Sequence, residues 1–168
     1  MITFPLSTEK LNLAKIAVKV ACILCLFTQP VFGDEVTIYR DGWGVPHIYG
    51  DSDRAVAFGY GYAQAQDRYP AIARNYAEST GQLARFAGEP GLSSDFRQRL
   101  WRHREAALDW LTLAPTHESR WVEAFAAGIR HYVDQDPNRR AKWPDGVEPA
   151  HVVTLTRFLY WRAVLGQL

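Results

Sequence analysis

The chain has 168 residues, of which 48% are hydrophobic and 22% charged, and its net charge is +1 at pH 7. Such a length and composition support one globular core of ordinary size, without a low-complexity tract or a solenoid-type repeat. The near-neutral balance argues against the basic footprint of a nucleic-acid binder.

Residues 1–33 stand apart from the rest. Lys10, Lys15 and Lys19 precede an apolar run from Val20 to Leu26, which continues to Phe32 with Gln29 and Pro30 interrupting it. Val31-Phe32-Gly33 then offers small residues at the −3 and −1 positions of a cut before Asp34. This order of positive, apolar and small residues reads as a secretory signal peptide. An uncleaved anchor is the alternative, but the run is shorter than the roughly 20 residues that a membrane span needs. Neither Cys22 nor Cys25 follows a lipoprotein box. Both cysteines lie in this segment, so a mature chain from Asp34 carries no disulfide, thiolate metal site or Cys nucleophile. Three Lys and one Glu give the leader +2, which leaves −1 for residues 34–168 and no reason to expect a polyanionic partner.

In the mature part, Val36-Thr37-Ile38-Tyr39-Arg40 is a β-branched and aromatic run, and Asp41-Gly42-Trp43-Gly44 is turn chemistry. Val45 to Tyr49 forms a second extended run, with Pro46 restricting it to an edge or one-sided strand. The pair reads as a β-hairpin that needs further partners, because a lone hairpin is not stable. Asp51 or Ser52 can cap a helix from Arg54 to Tyr69. Gly59 and Gly61 each cost about 1 kcal/mol relative to Ala inside a helix, which marks close backbone packing. Pro70 ends or kinks this helix, and the helical pattern resumes from Ala71 to Phe86.

Glu89-Pro90-Gly91 is a break, after which Ser93 or Ser94 can cap a helix from Asp95 to Leu113 that ends before Pro115. The strongest helical periodicity runs from Glu118 to Gln135, with Val122, Phe125, Ala126, Ile129, Tyr132 and Val133 on one beat. Asp136-Pro137-Asn138 closes it, and Trp143-Pro144-Asp145-Gly146 reads as a loop. A last helix begins near Pro149 and reaches Leu168 without a stop signal, as though cut short.

Motifs of catalysis are sparse. His47, His103, His117, His131 and His151 show no i,i+4 pair with Glu between, so they read as solvated or packing histidines rather than metal ligands. Gly59-x-Gly61 lacks a third glycine and a preceding strand, so helix packing fits it better than phosphate binding. Without a G-x-S-x-G elbow, Ser52, Ser79, Ser93 and Ser94 read as caps and loop residues. No carboxylate pair stands out for hydrolysis. Asp67-Arg68 reads as a paired structural group on an apolar face, with a solvated helix end as the alternative.

Two stretches carry a resemblance. Val36 to Asp41 with Trp43-Gly44-Val45-Pro46-His47-Ile48, followed by Phe58-Gly59-Tyr60-Gly61-Tyr62-Ala63-Gln64-Ala65-Gln66-Asp67-Arg68, resembles the start of the α chain in the penicillin acylase (penicillin amidase) family. Gly81-Gln82-Leu83 with Gly88-Glu89, Glu123 to Val133, and Glu148-Pro149 with the helix after it resemble later α-chain segments. The similarity spans Val36 to Leu168.

The resemblance implies an α+β fold: the mostly helical α-chain portion of an αββα N-terminal nucleophile hydrolase sandwich, opened by a β-hairpin. It implies a signal peptide at 1–33 and an acylase α-chain-like region at 34–168, truncated at its end. Such enzymes are exported to the periplasm or secreted as precursors that cleave themselves into α and β chains. The first residue of β, usually Ser, is the nucleophile, with its own α-amine as base, and the oxyanion donors lie in β. The implied activity is hydrolysis of a linear amide, removing an N-acyl group from an amine such as a β-lactam, an acyl-homoserine lactone or a lipopeptide.

The implied partners are that β chain and a small amide substrate, with no nucleic acid and no membrane after signal cleavage. No catalytic residue and no metal ligand falls in this chain. Calcium is implied only for the complete enzyme, its α-chain acid falling beyond Leu168. By distance from Glu148-Pro149, the resemblance places Tyr160, Trp161 and Val164 on the acyl-binding wall, against a reading of all three as ordinary core. The alternative function is a non-catalytic secreted helical binding protein or an inactive fragment.

Overall fold

The computed structural model describes residues 34–140 and 146–165. The leader at 1–33, most of the Trp143 loop and the last three residues lie outside the described residues.

Strands β1 (Val36–Arg40) and β2 (Pro46–Gly50) pair antiparallel, with Val36 opposite Gly50 and Arg40 opposite Pro46. Side chains alternate across a strand, so Val36, Ile38 and Ile48 turn inward while Thr37, Tyr39, His47 and Tyr49 are exposed. Asp41 builds the turn. One carboxylate oxygen accepts the N–H groups of Trp43 and Val45 at 2.9 and 3.0 Å, and the other meets Nε2 of His47 at 3.2 Å. Those contacts, the Val45 N–H foremost and His47 next, hold the Asp41 carboxyl below its ordinary pKa. No further strand joins the hairpin among the described residues, so both of its edges are open.

The long helix α1 (Asp53–Ser79) starts at Ser52, whose Oγ accepts the Ala55 N–H at 3.1 Å. It runs through Pro70 with a distortion at Arg68 (φ −142°, ψ 27°). The proline ring cannot tolerate an undistorted turn before it, and the strain is absorbed two residues upstream. Two sets of small residues, each spaced by four, line different faces of its first half. Ala55 and Gly59 face the hairpin, while Ala57, Gly61 and Ala65 face the core. Contrary to the predicted continuation to Phe86, the helix stops at Ser79. The Thr80 hydroxyl donates to the Tyr76 carbonyl at 2.7 Å, and the chain turns at Gly81 (φ 68°).

A short helix α2 (Ala84–Ala87) and a 3-10 turn (Glu89–Gly91) lead into α3 (Leu92–Leu100), followed by α4 (His103–Leu113). The single predicted helix over 95–113 is therefore two. The break falls at Arg102, whose backbone is left-handed (φ 52°, ψ 42°). Ser93 and Ser94 lie inside α3 and make no side-chain cap there. The capping carboxylate is instead Asp95, which is buried and accepts the Leu83 and Ala84 N–H groups at 2.6 and 2.9 Å. It thereby ties the start of α2 to α3.

Helix α5 (Thr116–Asp134) follows Pro115, beginning two residues before the predicted start, and α6 (Pro137–Arg140) and α7 (Pro149–Leu165) complete the order. The core lies between α1 and α5, where Tyr69, Ala73, Tyr76 and Ala77 meet Phe125, Ile129 and Val133. Fully burying a side chain such as Ile129 contributes roughly 1.5–3 kcal/mol.

Two glycines explain how closely these layers approach. A Cβ on Gly61 would run into the carbonyl oxygen of Phe125, and one on Gly128 into that of Phe58. Gly59 does the same service for the hairpin, since a Cβ there would lie 2.6 Å from Val36 and 2.8 Å from Ile48. The helix approach expected of this pair thus belongs to Gly61, while Gly59 seats the hairpin.

Candidate functional site

Helix α7 carries the three residues expected on an acyl-binding wall. Tyr160 is 69% exposed and Val164 46% exposed. They stand four residues apart, hence on one helical face. Trp161 is half-buried and packs inward. Its ring centroid is 5.7 Å from that of Trp101 and 6.1 Å from that of His103, and the Arg157 guanidinium lies 5.3 Å above it. Of the three, Trp161 therefore anchors α7 while Tyr160 and Val164 project from it.

The anchor sits in a corner that the sequence did not single out. Helices α3, α4 and α7 meet around His103, which is fully buried. Trp101, Phe158 and Trp161 surround it with interplanar angles of 79°, 82° and 72°. Neither ring nitrogen of His103 has a hydrogen-bond partner among the described residues, and the same holds for Ser94 Oγ, Gln98 Oε1 and Arg157 Nε. Burial foremost, then the charge of Arg157, lowers the pKa of His103 and favours the neutral ring. The signal available in the sequence was an i,i+3 aromatic pair, Phe158 and Trp161 on α7, facing Trp101-x-His103.

A cleft of about 310 Å³ opens beside this corner, lined by Glu78, Arg97, Gln98, Trp101, Phe158, Arg162 and Leu165. Tyr160, Trp161 and Val164 are not among its lining residues. A larger groove of about 650 Å³ lies elsewhere, where Trp110 and Trp121 meet Arg54, His117 and Arg120 near the start of α1. Trp121 stacks on Phe125 with rings 5.8 Å apart and 7° from parallel.

The other expected groups fall as follows. Asp67 pairs with Arg40 of the hairpin at 2.7 Å, not with Arg68, and the side chains are 43% and 30% exposed. It is a half-exposed clamp between α1 and β1, so Asp67 is paired as expected but across to the hairpin rather than on an apolar face. Arg40 also donates to Gln66 Oε1 at 2.8 Å and to the Gly44 carbonyl at 2.7 Å. His151 is buried at the start of α7, and its Nδ1 accepts the Glu148 N–H at 2.9 Å. Tyr69 is buried in the core, and burial foremost, then Asp134, pushes its pKa up to about 12. No group of three or more His, Cys, Asp or Glu among the described residues is placed to hold a metal ion. No described helix is long and apolar enough to cross a membrane.

The outer face of the hairpin forms a second candidate surface. Tyr39 and Tyr49 are each 62% exposed and Trp43 92% exposed, beside two strand edges that no other described strand pairs. Exposed apolar area next to an open edge is the usual mark of a polypeptide interface.

Comparison with known proteins follows the same lines. The family described as Penicillin amidase matches residues 35–166. The chain is 28% identical over 146 residues to the acyl-homoserine lactone acylase PvdQ of Pseudomonas fluorescens (strain Pf0-1), covering 77% of this chain and 18% of that protein. It is 28% identical over 174 residues to the aculeacin-A acylase of Actinoplanes utahensis, covering 93% and 22%. Among solved structures, a thermostable penicillin G acylase from Alcaligenes faecalis superimposes with a TM-score of 0.65 at 23% identity, over 73% of this chain and 70% of that one. The chain thus spans about a fifth of the length of these curated acylases, and its helices and hairpin follow the penicillin G acylase fold.

Proposed function

The chain belongs to the penicillin amidase family, and from that premise we propose that it is the α-chain region of a secreted or periplasmic acylase that hydrolyses a linear amide. The observation that carries the reading is the family match over residues 35–166, nearly the whole of the described structure. Relatives named as acting on an acyl-homoserine lactone, aculeacin A and penicillin G support an N-acylated amine as the substrate class.

In this reading the nucleophile is the N-terminal Ser of a β chain, and its α-amine draws off the hydroxyl proton. The present chain supplies binding surface. The hairpin docks on the β chain through its open edges and its Tyr39 and Tyr49 face, completing the αββα sandwich. Tyr160 and Val164 contact the acyl group, and Trp161 holds their helix in place. Apolar walls suit an acyl chain because burying its surface contributes roughly 25 cal/mol per Å². Calcium, where the complete enzyme uses it, is held outside the described residues.

Co-expression of the chain with a β chain of the family tests the proposal. The expected result is a co-purifying complex that releases amine from an N-acylated substrate. Tyr160→Ala should lower kcat/KM by about tenfold, as loss of apolar contact in a pocket does. A chain that remains monomeric, folds cooperatively and never associates with a β chain would point to the non-catalytic binding role instead.

A further inference from the structure

We propose that protonation of His103 releases α7 from its seat on α3 and α4, so that the docking of this helix is a pH-dependent step. The inference stands on the corner itself. His103 is fully buried, is enclosed by Trp101, Phe158 and Trp161, and has no hydrogen-bond partner among the described residues at either ring nitrogen. A second proton would put a charge where no carboxylate or carbonyl receives it.

The charged groups around it offer little relief. Arg157 of α7 lies close enough to oppose protonation. Arg102 and Arg104 flank His103 along the chain, and Arg104 is turned to Glu148 at 3.5 Å. Glu105 follows in the first turn of α4. Arg97 of α3 and Arg162 of α7 line the adjoining cleft, where Glu78 of α1 is the one acidic lining residue. Cations thus outnumber acids on the sides that α3 and α7 present.

The position suits a hinge as well as a sensor. His103 opens α4 directly after the left-handed Arg102, and Phe158 and Trp161 are the α7 side chains that bear on it. Swinging α7 away exposes the imidazole to water and removes the penalty. The pKa of His103 in the docked state is depressed below 6.5. The undocked state therefore binds more protons, and docking weakens as pH falls below about 6.5. One proton of difference shifts the docking equilibrium by up to about tenfold per pH unit. If the proposed acyl wall is correct, the same step withdraws Tyr160 and Val164; that consequence rests on the functional reading, whereas the docking step does not.

The test needs no substrate. Near-ultraviolet circular dichroism and tryptophan emission of the full chain are followed from pH 8 to pH 5, beside His103→Phe and His103→Gln. The wild type should lose its near-ultraviolet signal below pH 6.5 while far-ultraviolet ellipticity persists, and both variants should stay level. Should His103→Phe fail to fold, His103→Gln and the imidazole proton resonances of the wild type carry the test. A His103 resonance that titrates at or above 6.5, or variants that titrate as the wild type does, would overturn the proposal. Failure of the chain co-expressed with a β chain to release amine, with the docking transition intact, would sink the functional reading alone.

Discussion

The hairpin with α1 and α5 and the corner formed by α3, α4 and α7 are held together by opposite means. In the first, small residues let backbones touch: Gly61 lies against the Phe125 carbonyl and Gly128 against that of Phe58. Little there can shift, because the closest atoms are main chain. In the second, large rings pack around His103, whose ring nitrogens lack a hydrogen-bond partner among the described residues. The contrast teaches that this chain has a rigid frame and a compliant flank, and that the flank carries the helix proposed to meet substrate. Side chains can re-pack where backbones cannot.

The comparison is broken most severely at Gly61. Gly61→Val should cost more than about 4 kcal/mol and abolish cooperative unfolding in urea, since neither backbone can yield. Gly42, with nothing within 4 Å of a Cβ, is the control. Gly42→Ala should stay within about 0.5 kcal/mol. In the flank, Phe158 is 5% exposed. Phe158→Ala should cost about 3 kcal/mol. The loss should appear first in amide exchange of α4 and α7, with α1 and α5 protected until global unfolding. Uniform loss of protection would mean that frame and flank are one unit.

A fourth substitution acts in the opposite direction. Arg102 has φ 52°, a conformation costing a non-glycine residue about 1–2 kcal/mol. Arg102→Gly relieves that strain but adds freedom to the unfolded chain, so a net gain of about 0.5 kcal/mol is expected in thermal melts. A loss would show that the arginine side chain holds the α3–α4 junction.

The frame was legible because its chemistry is local. Alternating side chains, Asp41-Gly42 and Ser52 announced the hairpin and the start of α1, and glycines inside a helix announced a close crossing. The flank was not, because its decisive features are tertiary. Arg102 carries no sequence mark of a left-handed turn. Asp95 looks like a first-turn acid of its own helix, yet it caps α2 across space. The stop at Ser79 depends on the Thr80 hydroxyl and Gly81, neither of which interrupts a periodic pattern strongly. At the candidate site, Tyr160 and Val164 are exposed, and the anchoring part of Trp161 became visible only once Trp101 and His103 were placed beside it.

The least effect belongs to the exposed clamp between hairpin and α1. Arg40 and Asp67 approach to 2.7 Å. Solvent screens such a pair, and ordering two side chains offsets much of the attraction, so Asp67→Asn should cost about 0.5 kcal/mol and less at high salt. Arg40 also donates to Gln66 of α1, so one contact across the clamp remains, while its bond to the Gly44 carbonyl lies within the hairpin. The apolar contact of Val36 and Ile48 with Gly59 would still seat the hairpin. A double-mutant cycle of Arg40→Met with Asp67→Asn measures the coupling directly. A coupling above about 2 kcal/mol would place the pair among desolvated ion pairs and make charge, rather than close approach, the force that holds the hairpin to the frame.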